Sequence, residues 1–283
     1  MRIQSGHRPF HSVHVTSPPR GVRELCRAYL PLLPEAAYFS HQTAAVLLGV
    51  PLPSQLSEGP LHIAVAFPRT PPRGRGVHGH SLGSVHGEIV DGMPVCAPAQ
   101  VWCQLSGVLD REDLVAAGDH LVGARGREPL AEIDELMDAA ADLNRTKGSR
   151  SRVWALPRIR YGADSRPESL LRLLLEEYGY TGLEVNRPVL LAGGRLVLHP
   201  DLTLPHRRLA FEYEGDGHRV DRRQWQADIE RRDLLEAEGW RVVRVTSRDL
   251  FGNPDAFRDR LAGFVTNVDI RATKDDIRDE SRG

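Results

Sequence analysis

The chain has 283 residues, of which 41% are hydrophobic and 27% charged, and a formal net charge of −1. That composition is ordinary for a folded globular protein, the length allows two domains with real cores, and the near-neutral charge argues against a generally polyanion-binding surface. No apolar stretch approaches the roughly 20 residues that a membrane span needs, so no membrane partner is expected.

The amino terminus, Met1-Arg2-Ile3-Gln4-Ser5-Gly6, carries no hydrophobic region of a signal peptide. Cys26, Cys96 and Cys103 are odd in number and lack metal-ligand spacing, which agrees with a reducing compartment. A cytoplasmic location is the expectation.

Residues 1–37 are rich in His, Pro and Arg and read as loosely ordered, apart from a short helix over 22–33. Ser40-His41-Gln42-Thr43 opens the next helix, which Gly49 and Pro51 end. Strands are expected over 61–67, 77–82, 85–90 and 93–96, with an Arg/Pro/Gly loop over 68–76 and a turn at Asp91-Gly92. Helices follow over 98–105, over 111–122 with Asp110 as N-cap, and over 130–143. Residues 38–146 thus read as an α+β domain. His78 and His80 share one face of a strand, as zinc ligands would, but no Cys or acidic partner sits at matching spacing. His41 reads as a capping or packing residue.

Residues 147–163 form a basic helix and hinge. Arg145, Lys147, Arg150, Arg152, Arg158 and Arg160 follow one another with no acid among them, a pattern that suits either phosphate tracking or a solvated helix face. Arg150, Arg152 and Arg158 are candidate nucleic-acid contacts, joined later by Arg231 and Arg232 on a polar helix. Those two arginines equally suit pairs along that helix.

The pattern then becomes helix, three strands, helix, strand. Ser165-Arg166-Pro167-Glu168 opens a helix whose Leu171, Leu174, Leu175 and Tyr178 recur at helical spacing. Strands are expected over 186–191, 196–204 and 208–214, with turns at Gly193-Gly194 and 205–208. A polar helix over 221–238, capped by Gly239, precedes a last strand over 240–245, and residues 267–283 read as a charged, disordered tail.

Alternation on the strand over 208–214 puts Phe211 and Tyr213 on one face and Ala210, Glu212 and Glu214 on the other. With a turn centred on His206 and Arg207, Asp201 lies opposite Glu212, and a one-residue slip would undo the alignment. Two like charges about 4 Å apart repel by roughly 4 kcal/mol at an effective dielectric near 20, so three carboxylates would bind either protons or a cation. Hard oxygen donors suit Mg²⁺ or Mn²⁺, and such an ion activates water and stabilises charge on a phosphoryl group. The alternative is that the two glutamates form the solvated face of an edge strand.

Glu168 on the first helix, Pro200-Asp201, the string Phe211-Glu212-Tyr213-Glu214-Gly215-Asp216-Gly217-His218, the helical Arg231-Arg232-Asp233 and the terminal Gly239-Trp240-Arg241-Val242-Val243-Arg244-Val245-Thr246 occur in an informative order. Over residues 164–266 this resembles the PD-(D/E)XK nuclease superfamily, and within it the DUF559 and very-short-patch-repair-like endonucleases. The resemblance implies an α/β, restriction-endonuclease-like core with a mixed sheet, and a magnesium-dependent endonuclease acting on DNA in defence, repair or a toxin–antitoxin context. It casts Asp201, Glu212 and Glu214 as metal ligands and adds Glu168 and His218 to the catalytic set. The superfamily's usual lysine falls at Glu214, so Glu214 or His218 would handle the proton of the attacking water. Ser165-x-x-Glu168 is also a capping box, a competing role for the same carboxylate. The alternative function is a non-catalytic nucleic-acid-binding or antitoxin-like regulator on a degenerate nuclease fold.

In the first half, Ser40-His41-Gln42-Thr43-Ala44-Ala45, Leu48-Gly49-Val50-Pro51-Leu52, His62-Ile63-Ala64-Val65 and Gly92-Met93-Pro94-Val95 with Pro98-Ala99 resemble the abortive-infection (AbiEi) type IV antitoxin family over about residues 38–125. That resemblance implies a DNA-associated recognition or control module; a homodimer or a toxin/antitoxin-type protein partner is a separate expectation.

Overall fold

The structure, a computed structural model, describes residues 7–143, 145–215 and 222–262, with residues 222–228 described in backbone only. His218 and Asp216 and the tail over 267–283 lie outside the described residues, as does the side chain of Asp228. Helices and mixed sheets alternate in two compact units, Met1–Gly123 with Arg127–Ile159, and Ala124–Gly126 with Arg160–Gly283.

The first unit runs α1 (Val22–Tyr29), β1 (Ala37–Phe39), α2 (His41–Leu48), β2 (Leu61–Ala66), β3 (Arg73–Gly74), β4 (Val77–Leu82), β5 (Gly87–Val90), β6 (Met93–Cys96), α3 (Pro98–Leu105), α4 (Arg111–Val122), α5 (Ile133–Asp142) and α6 (Ser149–Ala155). Its sheet has the order β3-β4-β2-β1-β6-β5, with β2–β4 and β1–β6 parallel and the other pairs antiparallel. Local chemistry accounts for the boundaries. Gly49 ends α2 in the left-handed region, Asp110 accepts the Asp113 amide at 2.8 Å to start α4, and Asp91 and Gly92 both take positive φ to turn β5 into β6. Phe39, Ile63, Trp102, Leu105, Leu114 and Leu121 fill the core.

The helix expected over 22–33 forms as α1 and buries Val22 and Cys26, and Phe10 packs edge-on against its Tyr29. Ala37–Phe39, assigned to no strand, is a central strand between β2 and β6. Three residues are too few for alternation to reveal.

The second unit runs α7 (Arg166–Glu177), β7 (Glu184–Val185), β8 (Val189–Leu191), β9 (Leu196–Leu198), β10 (Leu202–Leu204), β11 (Leu209–Glu214), α8 (Arg222–Ala237), β12 (Arg241–Thr246) and α9 (Pro254–Ala262). Its main sheet has the order β12-β11-β10-β7, with β11–β12 parallel and the other pairs antiparallel, while β8 and β9 form a separate hairpin. Leu171, Leu175, Phe211, Val245, Phe257 and Leu261 pack as one core, and Leu235 joins Val189 and Leu191 in a smaller one.

The expected strand over 196–204 is broken between β9 and β10, at His199-Pro200-Asp201. Proline offers no amide to a ladder, and the Asp201 carbonyl instead accepts the Asn186 amide at 2.9 Å. The strand over 186–191 shrinks to β8 for the same reason, since Asn186 sits at φ 47 ahead of Arg187-Pro188. Helix α9, which contributes Phe257 and Leu261, was not expected. Among the described residues, no helix is long and apolar enough to cross a membrane.

Candidate functional site

The strand pair β10–β11 sets the site. Its register pairs Leu202 with Phe211, Thr203 with Ala210 and Leu204 with Leu209, so that continuing the ladder one step brings Asp201 opposite Glu212. Leu204-Pro205 and a left-handed Arg208 make the turn that fixes this register. Phe211 points into the core with Tyr213 packed against it, and Glu212 and Glu214 take the opposite face. At the strand's end the Asp201 carboxylate replaces a backbone acceptor: the Tyr213 amide donates to Asp201 Oδ2 at 2.7 Å.

Asp201 is the most perturbed carboxyl of this group. Burial is the main cause, and repulsion from Glu168 and Glu212 adds to it; the Tyr213 amide and Arg231 act the other way, leaving the pKa raised to about 7. Such a carboxyl is balanced between neutral and ionised forms near neutrality, a state that a cation would shift fully to the ionised form.

Glu168 sits behind it on the first turn of α7, 7% exposed. Its Oε1 accepts the Ser165 hydroxyl at 2.8 Å, and its Oε2 accepts the Asp164 amide and the Asn186 side-chain amide, each at 2.9 Å. Burial raises its pKa despite these bonds. Both oxygens are thereby used in holding the helix start and Asn186. Asn186 also donates to the Gly162 carbonyl at 2.8 Å and, through its backbone amide, to Asp201. It links Glu168 to Asp201, a role that the sequence signals only as an Asn ahead of Arg-Pro.

Glu212 lies 3.1 Å from Arg231 Nη2, and that guanidinium also donates to the His199 carbonyl. Glu214 pairs with Arg244 of β12. Arg231, expected at a phosphate, is therefore turned toward the carboxylates, while Arg232 is half-buried on α8. Glu168, Asp201, Glu212 and Glu214 are not among the side chains that converge in threes: among the described residues, the one group whose ligand atoms all lie within 4.8 Å is His41, His62 and His80. Asp201 and Glu212 are the two oxygen donors that the β10–β11 register sets opposite one another.

In the first unit, the basic segment divides. Arg150 is exposed. Arg158 stacks on Trp154 at 4.3 Å, with Arg111 over the same ring at 5.8 Å. Arg152 departs from expectation: it is 1% exposed, so it cannot touch a phosphate. Its guanidinium donates to the Ser106 hydroxyl at 2.6 Å, the Thr146 hydroxyl at 3.0 Å, and the carbonyls of Leu143, Lys147 and Cys103. These lie at the ends of α3 and α5, where helix carbonyls attract a cation.

No protein-family model matches the chain, and neither the curated proteins nor the solved structures include a significant match to it.

Proposed function

We propose that the second unit is a restriction-endonuclease-like core of the PD-(D/E)XK type, hydrolysing phosphodiester bonds in DNA with magnesium or manganese. The observation that carries this reading is the placement of Asp201, its pKa lifted to about 7, opposite Glu212 at the end of an antiparallel pair. In this reading Asp201 and Glu212 hold the ion, which when bound supplies an activated water and stabilises charge on the phosphoryl oxygens. The Tyr213 amide fixes the Asp201 carboxylate, and Glu168 acts through Asn186 as a positioning residue. Glu214, released from Arg244, orients the water in place of the superfamily's lysine. The Arg150, Trp154 and Arg158 surface carries the backbone of the nucleic acid, and the first unit serves as a recognition or control module.

The test is cleavage of single-stranded, duplex and mismatched DNA with and without Mg²⁺ or Mn²⁺. Asp201→Ala and Glu212→Ala should each remove metal-dependent cleavage while circular dichroism stays unchanged; full activity in both variants would overturn the assignment.

A second reading, a non-catalytic nucleic-acid-binding regulator, draws on the pairing of Glu212 with Arg231 and of Glu214 with Arg244. Those pairs neutralise the acidic face without an ion. Salt-sensitive DNA binding without cleavage in any metal would favour it.

A further inference from the structure

We propose that His41, His62 and His80 of the first unit form a binding site for a divalent transition-metal ion of the zinc type. The three come from different elements: His41 from the start of α2, His62 from β2 and His80 from β4. The parallel register sets Ala64 beside His80 and His78 beside His62. Because Ala64 is only a methyl group, the His80 ring can lean toward His62, and Nδ1 of His62 stands 2.9 Å from Nε2 of His80. The His41 ring stacks on His80 with centroids 3.8 Å apart.

The backbone around the cluster holds it in place from both sides of His62. The Ser40 amide donates to the His62 carbonyl at 2.9 Å, and the His62 amide donates to the Thr43 hydroxyl at 2.8 Å. The His41 amide is held by Gln104 Oε1 at 2.7 Å, and its Nδ1 lies 3.1 Å from the Ser40 hydroxyl, the outer contact that orients a ligating imidazole. His41 itself sits at φ 49, a left-handed conformation that persists where surroundings enforce it.

Three imidazoles without thiolate or carboxylate suit zinc, copper, nickel or cobalt rather than magnesium. The rings are in the neutral form that binds metal: burial, with repulsion from His80 and His62, lowers His41 to about 3; burial, with repulsion from His80 and His78, lowers His62 to about 4; and burial with His78 lowers His80. Beside His62 opens a cleft lined by Gln42, Thr43, Glu58 and His78. An ion here would join α2 to two strands of the sheet, so its effect is to stabilise the first unit.

Untagged full-length protein, stripped by chelator, is titrated with zinc against a chromogenic competitor and separately with cobalt(II), read by its visible spectrum. The expected result is about one equivalent per chain with a Kd below about 1 μM, a cobalt spectrum of nitrogen and oxygen coordination, and a raised melting temperature. His62→Asn and His80→Gln should each weaken zinc binding by at least about 100-fold. If a variant does not fold, ring resonances of the three histidines in the wild type must shift with the first equivalent of zinc. The proposal is overturned if no equivalent binds, if binding survives in both folded variants, or if the three rings do not respond.

Discussion

Asp201 is a buried carboxyl facing two other carboxylates, and in the protein without metal it resolves that repulsion by holding its proton up to about pH 7. In the unfolded chain the same group titrates near 3.9. The folded state therefore binds more protons between those values, and the stability this contributes is present at low pH and lost as pH rises toward 7. In chelator, this group contributes about 4 kcal/mol that is lost between pH 4 and pH 8, so the stability difference between wild type and Asp201→Asn in urea unfolding should change by about that much over the range, the other titrating groups being common to both. Equal pH slopes would contradict the raised pKa. The pairing of Asp201 with Glu212 was legible in the sequence because a turn at 205–208 and a period of two fix the register. The partners of the other acids were not. Glu214 meets Arg244 only because β11 and β12 run parallel, and no local pattern states which strand lies alongside.

At the scale of elements, single polar side chains hold ends together. Arg152 joins the carbonyl ends of α3 and α5 to α6, with burial lowering its pKa. Removing the cation leaves those carbonyls buried without a donor, so Arg152→Met should cost about 3–5 kcal/mol, measured by denaturant unfolding. A change within 0.5 kcal/mol would show that water replaces it. In the second unit, Asp249 accepts the Thr246 amide at 2.9 Å and hydroxyl at 2.8 Å, and pairs with Arg260 of α9 at 3.1 Å. Burial raises its pKa, but these partners outweigh it and the net shift is downward. The resulting stability is present above the ordinary carboxylate pKa of about 4 and lost as pH falls through the lower folded value. Asp249→Asn should therefore be less stable than wild type at pH 7, and the difference should shrink below pH 4; a constant gap would contradict the ion pair. Most helices were legible from caps and apolar spacing, as with Asp110 ahead of α4. The break at Pro200 was legible in principle from proline's missing amide, although the apolar run around it reads as one strand; the destination of Arg152 was not, because it depends on residues remote in sequence.

At the scale of the molecule, each unit has its own core and its own candidate metal chemistry, nitrogen donors in the first and oxygen donors in the second. A ligand that binds only the folded state stabilises the part it binds. Zinc should then raise the melting of the first unit and magnesium that of the second, resolved by hydrogen exchange along the chain. Protection gained from both ions in one unit alone would contradict the division. The central claim, that Asp201 and Glu212 hold a hard cation, is tested most directly by isothermal calorimetry with Mg²⁺, which the histidine cluster does not favour. The account predicts saturable binding of Mg²⁺ to the wild-type chain that disappears in Asp201→Asn. Absence of binding in the wild type, or equal binding in the variant, would contradict it.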